Sequence, residues 1–256
     1  MRDTIFRAMV VSKINEKDFI RQITERSINE LPEGEVLVRV RFSSLNYKDG
    51  LSCTGNPGVT RNYPHTPGID ASGEVAESSD SRFKVGDSVI VTSYDLGMNT
   101  SGGFGQYIRV PADWVVPLPE GLSLKESMIY GTGGYTAALS VDALLKHGVT
   151  PDQGEVVVTG STGGVGSVSV ALLSNLGYNV VAATGKTEET EFLMRLGAEE
   201  IIHRDEVNDE SRKPLLSGRW VGAVDTVGGT TLATLLKAIK RGGAAAATGL
   251  VASADL

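Results

Sequence analysis

One apolar run, Val156-Val157-Val158-Thr159, opens straight into Gly160-Ser161-Thr162-Gly163-Gly164-Val165-Gly166 and then into a helical pattern. A second run, Val180-Val181-Ala182-Ala183, follows that helix and ends in Thr184-Gly185-Lys186. Strand, glycine turn, helix and strand restrict the chain to a right-handed parallel βαβ unit. The same unit seats a dinucleotide pyrophosphate on a helix N-terminus, where unpaired amides and the helix dipole favour negative charge.

The spacing is Gly160-x-x-Gly163-x-x-Gly166, with Gly164 beside the middle glycine and Ser161 where the common fingerprint has its second glycine. The backbone amides of Thr162, Gly163, Gly164 and Val165 are expected to face the phosphates. A glycine-rich turn with no ligand would show the same spacing, and it is the strand before and the helix after that strengthen the binding reading. A site for NAD usually closes its second strand with an acid that accepts from the ribose 2′-hydroxyl. Here Thr184, Gly185 and Lys186 offer a hydroxyl, an unobstructed amide and an ammonium, which favours NADPH over NADH. The competing reading makes Lys186 a solvated surface lysine and gives the ribose to Glu188 or Glu189, residues that also suit the N-terminal dipole of the next helix.

The first half of the chain is β-rich. Residues 35–41 alternate apolar and charged side chains, the pattern of a half-buried strand, and short strands are predicted over 72–76, 88–91 and 106–110 between glycine and proline turns. Near residue 125 the pattern changes. Helices are expected over 124–130 and 136–147. After them, strands over 155–160, 179–184, 199–202, 221–225 and 244–248 alternate with helices over 164–176, 188–196 and 230–240, which is the pattern of a doubly wound α/β sheet. Two domains follow, 1–125 small, β-rich and barrel-like, 126–256 α/β. The net charge of −7 argues against nucleic-acid binding. No apolar stretch reaches the roughly 20 residues of a membrane span, and residues 1–6 lack the apolar core of a secretory signal. The single cysteine, Cys53, forms no intrachain disulfide, so a cytoplasmic location is expected and the thiol is read as incidental.

Further motifs run in order along the chain: residues 43–51 (Ser-Ser-Leu-Asn-Tyr-Lys-Asp-Gly-Leu), 67–73 (Pro-Gly-Ile-Asp-Ala-Ser-Gly), 85–89, 131–138, the glycine turn, and 223–229 (Ala-Val-Asp-Thr-Val-Gly-Gly). With them the chain resembles the zinc-free branch of the medium-chain dehydrogenase/reductase superfamily, and within it the acryloyl-CoA reductase and quinone oxidoreductase-like group. The resemblance implies a GroES-like substrate and catalytic domain over 1–125, a Rossmann NADPH-binding domain over 126–256, and a homodimer where the family's C-terminal segment is present. Zinc members carry a Cys ligand where this chain has Asn46 and a His ligand where it has Ile69. The four-cysteine zinc lobe is absent as well, and His65, His147 and His203 show no ligand spacing, so no metal is expected.

The resemblance also places Tyr47 against the nicotinamide and Asn46 beside it as a donor to a substrate carbonyl, although a tyrosine packed at a domain interface fits the bare sequence equally well. It assigns Arg204 to the adenine end and Leu250 to the nicotinamide end. Family members continue several tens of residues past Leu256, so the expectation is a truncated form or a differently built C-terminal half. The implied activity is NADPH-dependent reduction of a carbon–carbon double bond conjugated to a carbonyl, an enoyl-CoA such as acryloyl-CoA being the leading small-molecule substrate. The alternatives are reduction of a quinone and a catalytically weak NADPH-binding protein.

Overall fold

Short strands separated by turns build the first half of the chain. β1 (Ile5–Lys13) and β2 (Phe19–Ser27) form an antiparallel hairpin with Ile5 opposite Ser27 and Lys13 opposite Phe19. β3 (Val36–Phe42) leads through helix α1 (Tyr47–Cys53) to β4 (Asp70–Ser78), β5 (Ser88–Thr92), β6 (Tyr107–Val110) and β7 (Val115–Pro117). These five strands pair antiparallel in the order β6-β3-β4-β5-β7. Period-two alternation decides what each face buries. Val36 and Val38 of β3 join Val75, Val89, Val91 and Ile108 in one core, while Leu37 between them joins Phe6, Ala8, Val10 and Ile28 in another.

Helix α2 (Leu124–His147) runs over both predicted helices and is broken at Gly131, whose φ of 47° and ψ of −153° lie outside the helical region. Beyond it come β8 (Glu155–Thr159), α3 (Gly164–Asn175), β9 (Asn179–Thr184), α4 (Thr190–Arg195), β10 (Glu200–His203), β11 (Trp220–Asp225), α5 (Gly229–Ala238) and β12 (Ile239–Ala247). All pairings among these strands are parallel, in the order β10-β9-β8-β11-β12. Val156, Val158, Val180 and Ala182 pack on one face with Leu144, Val170 and Leu173, and Val157, Val181 and Ala183 pack on the other with Ile202, Trp220 and Leu235. A parallel strand covered on both faces needs apolar side chains at every position, which is why β8 and β9 read as unbroken apolar runs.

The structure, a computed structural model, describes residues 4–211 and 213–252. It divides into two compact units, Met1–Thr132 and Gly133–Leu256. The α/β class, the GroES-like first half and the doubly wound second half expected from the sequence are all present. The hairpin β1–β2, α1 and β7 are additions that the sequence pattern did not suggest. β12 begins five residues before the predicted 244–248, with a register shift against β11 between Trp220 and Gly222. Among the described residues no helix is long and apolar enough to cross a membrane.

His65 gives the first unit a pH signature. The ring is 5% exposed and its Nε2–H donates to Gly97 O at 2.8 Å. Burial pushes its pKa below the ordinary 6.5, more strongly than the Gly97 bond and the Asp95 charge pull it back. Between the depressed folded value and the unfolded value the unfolded chain binds more protons, so stability held above the unfolded pKa is lost as pH falls through the folded one. Urea unfolding followed from about pH 7 to about pH 5 is expected to show a falling midpoint. The slope, at most about 1.4 kcal/mol per pH unit for one proton, should flatten in His65→Gln, which keeps a donor for Gly97.

Candidate functional site

The turn after β8 depends on glycine at two places. Gly160 has φ of +56°, and a Cβ there would lie 2.3 Å from Thr226 Oγ1. A Cβ at Gly166 would lie 2.3 Å from Gly160 O, so α3 packs directly on the turn. Ser161, at the position of the fingerprint's second glycine, is fully buried, and its hydroxyl donates to Ala183 O at 2.8 Å, fastening the turn to β9. The first turn of an α-helix leaves amides without intrahelical partners. At two other helices side chains supply them: Asp49 Oδ2 accepts from Asn46 N–H at the start of α1, and Glu126 Oε2 accepts from Ser123 N–H at the start of α2. At α3 the N-cap is Gly163, no side chain caps the helix, and the first turn has no acid. That end is built for an anion.

A cavity of about 960 Å³ lies across the C-terminal ends of the parallel strands. Thr159, Gly160, Thr162 and Gly163 form its middle, at the gap between β8 and β11 where the strand order reverses. Thr184, Gly185, Lys186 and Arg204 line one side together with Asp205, whose Oδ1 lies 4.0 Å from Arg204 Nε, and Glu210; Thr226, Val227, Val251 and Ala252 line the other. Thr184 Oγ1 accepts from Lys186 N–H at 3.0 Å, which turns the end of β9 into a tight bend and leaves the hydroxyl hydrogen free to donate. The Lys186 ammonium enters no ion pair among the described residues. Glu188 and Glu189 lie in the short helical turn beyond and do not line the cavity. A helix start without a side-chain cap, open space where a Cβ at Gly164 would lie, Lys186 and Arg204 at one end and a volume at the upper range of small-ligand pockets fit a phosphorylated dinucleotide.

Six of the residues expected from the sequence thus come together: Thr162, Gly163, Thr184, Gly185, Lys186 and Arg204. Gly164 and Val165 follow at the start of α3, and a Cβ at Gly164 would meet nothing within 4 Å. Leu250 is 66% exposed, and the cavity takes Val251 and Ala252 instead. Thr226 and Val227 carried a signal only as part of the 223–229 motif.

Asn46 and Tyr47 stand in the other unit, at the start of α1. Asp70, fully buried, accepts from four donors there: Ser44 Oγ, Asn46 Nδ2 at 2.8 Å and Thr132 N–H at 2.9 Å on Oδ2, and Thr132 Oγ1 at 2.6 Å on Oδ1. The second Asn46 amide hydrogen reaches Ser44 Oγ at 3.3 Å. Ile69 is buried, and its N–H donates to Asp49 Oδ1 at 3.0 Å. Burial, reinforced by the charge of Asp70, raises the Asp49 pKa despite these backbone donors. Tyr47 is 65% exposed. The positions that hold zinc in other members therefore hold a hydrogen-bonded amide and an apolar side chain.

Because Gly160 O cannot move without unmaking the turn, Gly166→Ala is expected to cost about 1–3 kcal/mol of stability, the range for overpacking, readable as a lowered urea midpoint.

Residues 32–120 match the alcohol dehydrogenase GroES-like domain, and residues 164–255 match the family described as zinc-binding dehydrogenase. The chain is 48% identical over 253 residues to the acrylyl-CoA reductase AcuI of Ruegeria pomeroyi, covering 98% of this chain and 77% of that protein. It is 47% identical over 253 residues to YhfP of Bacillus subtilis, provisionally named a quinone oxidoreductase, covering 99% and 76%. The crystal structure of Escherichia coli K-12 YhdH with bound NADPH superposes with a TM-score of 0.93 at 44% identity, over 97% of this chain and 76% of that one. That of B. subtilis YhfP with NAD bound does so with a TM-score of 0.93 at 47% identity, over 99% and 77%. With Asn46 and Ile69 at the two ligand positions, the chain belongs to the zinc-free group of the medium-chain dehydrogenase/reductase superfamily.

Proposed function

We propose that this protein is an NADPH-dependent reductase of α,β-unsaturated carbonyl compounds, with an enoyl thioester such as acryloyl-CoA, reduced to propionyl-CoA, as its substrate. The observation that carries the cofactor assignment is the pairing of the uncapped α3 start with Lys186 and Arg204 at the ends of β9 and β10. The enoyl thioester is supported by the 48% identity to a protein named acrylyl-CoA reductase. In this reading residues 126–256 bind the cofactor and residues 1–125 carry the substrate side. A homodimer goes with it where the family's C-terminal segment is present.

NADPH would supply a hydride to the β-carbon of the acceptor. The amides of Thr162, Gly164 and Val165 would hold the pyrophosphate, and Thr184, Gly185, Lys186 and Arg204 would surround the 2′-phosphate; the fourth amide expected from the sequence, that of Gly163, donates to Gly160 O at 2.9 Å within the turn and is not available to the ligand. Without a metal, the oxyanion that develops on the substrate carbonyl needs hydrogen-bond donors. The Asn46 amide hydrogens are directed at Asp70 and Ser44, so we assign this task to the Tyr47 hydroxyl and backbone amides and give Asn46 the role of fixing the start of α1. The α-carbon takes its proton from Tyr47 or from water.

A charge-assisted hydrogen bond is worth about 1.5–3 kcal/mol, so Lys186→Ala is expected to raise KM for NADPH by about tenfold or more and to leave KM for NADH nearly unchanged. Equal effects on both cofactors would remove the 2′-phosphate assignment. The identity to YhfP favours quinones as a second reading. Steady-state turnover of acryloyl-CoA against a small quinone separates the two: kcat/KM should favour the thioester, and clearly faster quinone reduction would reverse the choice.

A further inference from the structure

One buried aspartate organises the side of the cavity opposite Lys186, through its carboxylate and its main-chain oxygen. Asp225 ends β11 and is fully buried. Its Oδ1 accepts from Thr159 Oγ1 at 2.6 Å and from Val227 N–H at 3.3 Å, and its Oδ2 accepts from Gly228 N–H at 2.8 Å. Thr159 closes β8, so the first of these bonds spans the gap at which the strand order reverses. Thr226 answers it, donating its N–H to Thr159 Oγ1 at 3.1 Å and its hydroxyl to Thr159 O at 2.9 Å. The main-chain oxygen of Asp225 accepts from Thr248 N–H at 2.9 Å, Thr248 Oγ1 at 3.0 Å and Gly249 N–H at 3.2 Å. Ala252 N–H then donates to Val227 O at 2.9 Å. Segments 226–228 and 248–252, which supply Thr226, Val227, Val251 and Ala252 to the cavity, both hang from this one residue.

The strand order says which part of a ligand these segments meet. With the 2′-phosphate at Lys186 and Arg204, beyond β9 and β10, and the pyrophosphate at the start of α3, beyond β8, the other nucleoside extends past β11. We infer that Asp225 is a positioning residue for the nicotinamide half of NADPH, holding segments 226–228 and 248–252 in place without itself lining the cavity. The inference rests on the NADPH reading above and is tested by binding, independently of turnover.

The experiment is isothermal titration calorimetry of the full chain with NADPH and with 2′,5′-ADP, which carries the 2′-phosphate but lacks the nicotinamide nucleoside. Asp225→Asn keeps the size of the side chain and turns an NH₂ group against donors that need an acceptor. It is expected to weaken NADPH by about tenfold or more, the scale of a lost bond to a charged group, and to leave the Kd of 2′,5′-ADP unchanged. A general loss of structure would weaken both ligands alike. Thr159→Val, which deletes the hydroxyl shared by Asp225 and Thr226, should reproduce the split, and Thr159→Ser should reverse it, so the Thr159 pair decides the matter if Asp225→Asn does not fold. Equal weakening of both ligands in these variants, or no weakening of either, overturns the inference while the cofactor assignment stands. Failure of the unaltered chain to bind either ligand overturns the cofactor assignment, and the inference with it.

Discussion

Backbone amides at the first turn of a helix must find acceptors, and at α3 no side chain provides one. That single omission organises the second unit. The helix starts on Gly163, the preceding strand ends in a left-handed glycine, and the Ser161 hydroxyl fastens the turn to β9. Every strand of the parallel sheet delivers its C-terminal end to the same edge, so the residues after β9, β10, β11 and β12 gather around those amides without any sequence motif joining them. The charged residues Lys186, Arg204, Asp205 and Glu210 sit on one side, Thr226, Val227, Val251 and Ala252 on the other, and the helix start lies between.

The same economy explains the zinc-free site. Asn46 and Ile69 stand where ligands would, and the space is organised by carboxylates that accept hydrogen bonds instead of coordinating a metal. Asp49 caps the start of α1 and reaches Ile69, and Asp70 collects donors from Ser44, Asn46 and Thr132. Burying carboxylates is costly unless their oxygens are satisfied, and here they accept from backbone amides, hydroxyls and an amide side chain.

Most of the second unit was legible because its physics is local. An apolar run buried on both faces, a glycine turn and a helix of small and apolar residues each leave a pattern within a dozen residues, and β8, α3 and β9 fall almost where the pattern puts them. β2 was not legible because its middle is exposed on both faces, so Ile20, Arg21, Gln22 and Ile23 show no alternation. The early part of β12 was hidden for a different reason: Ile239 to Gly243 combines charged residues with two glycines, and only its parallel pairing with β11 makes it a strand. The site divides in the same way. Lys186 follows directly from the end of a readable strand. Thr159 and Asp225 are 66 residues apart in sequence and meet only because the sheet reverses between them, and Val251 and Ala252 enter the cavity through main-chain bonds that no side-chain pattern announces.

Asp70 has a mechanical consequence. Three chain segments meet on its two oxygens: the loop before α1, β4 itself, and the residue immediately after the helix break at Gly131. A Cβ at Gly131 would come within 2.7 Å of the same carboxylate, so the break is pressed against its anchor. The point where α2 changes direction and the point where α1 begins therefore share one reference frame: the residue just before Tyr47, Asn46, is tied through Asp70 to Thr132, 86 positions further along.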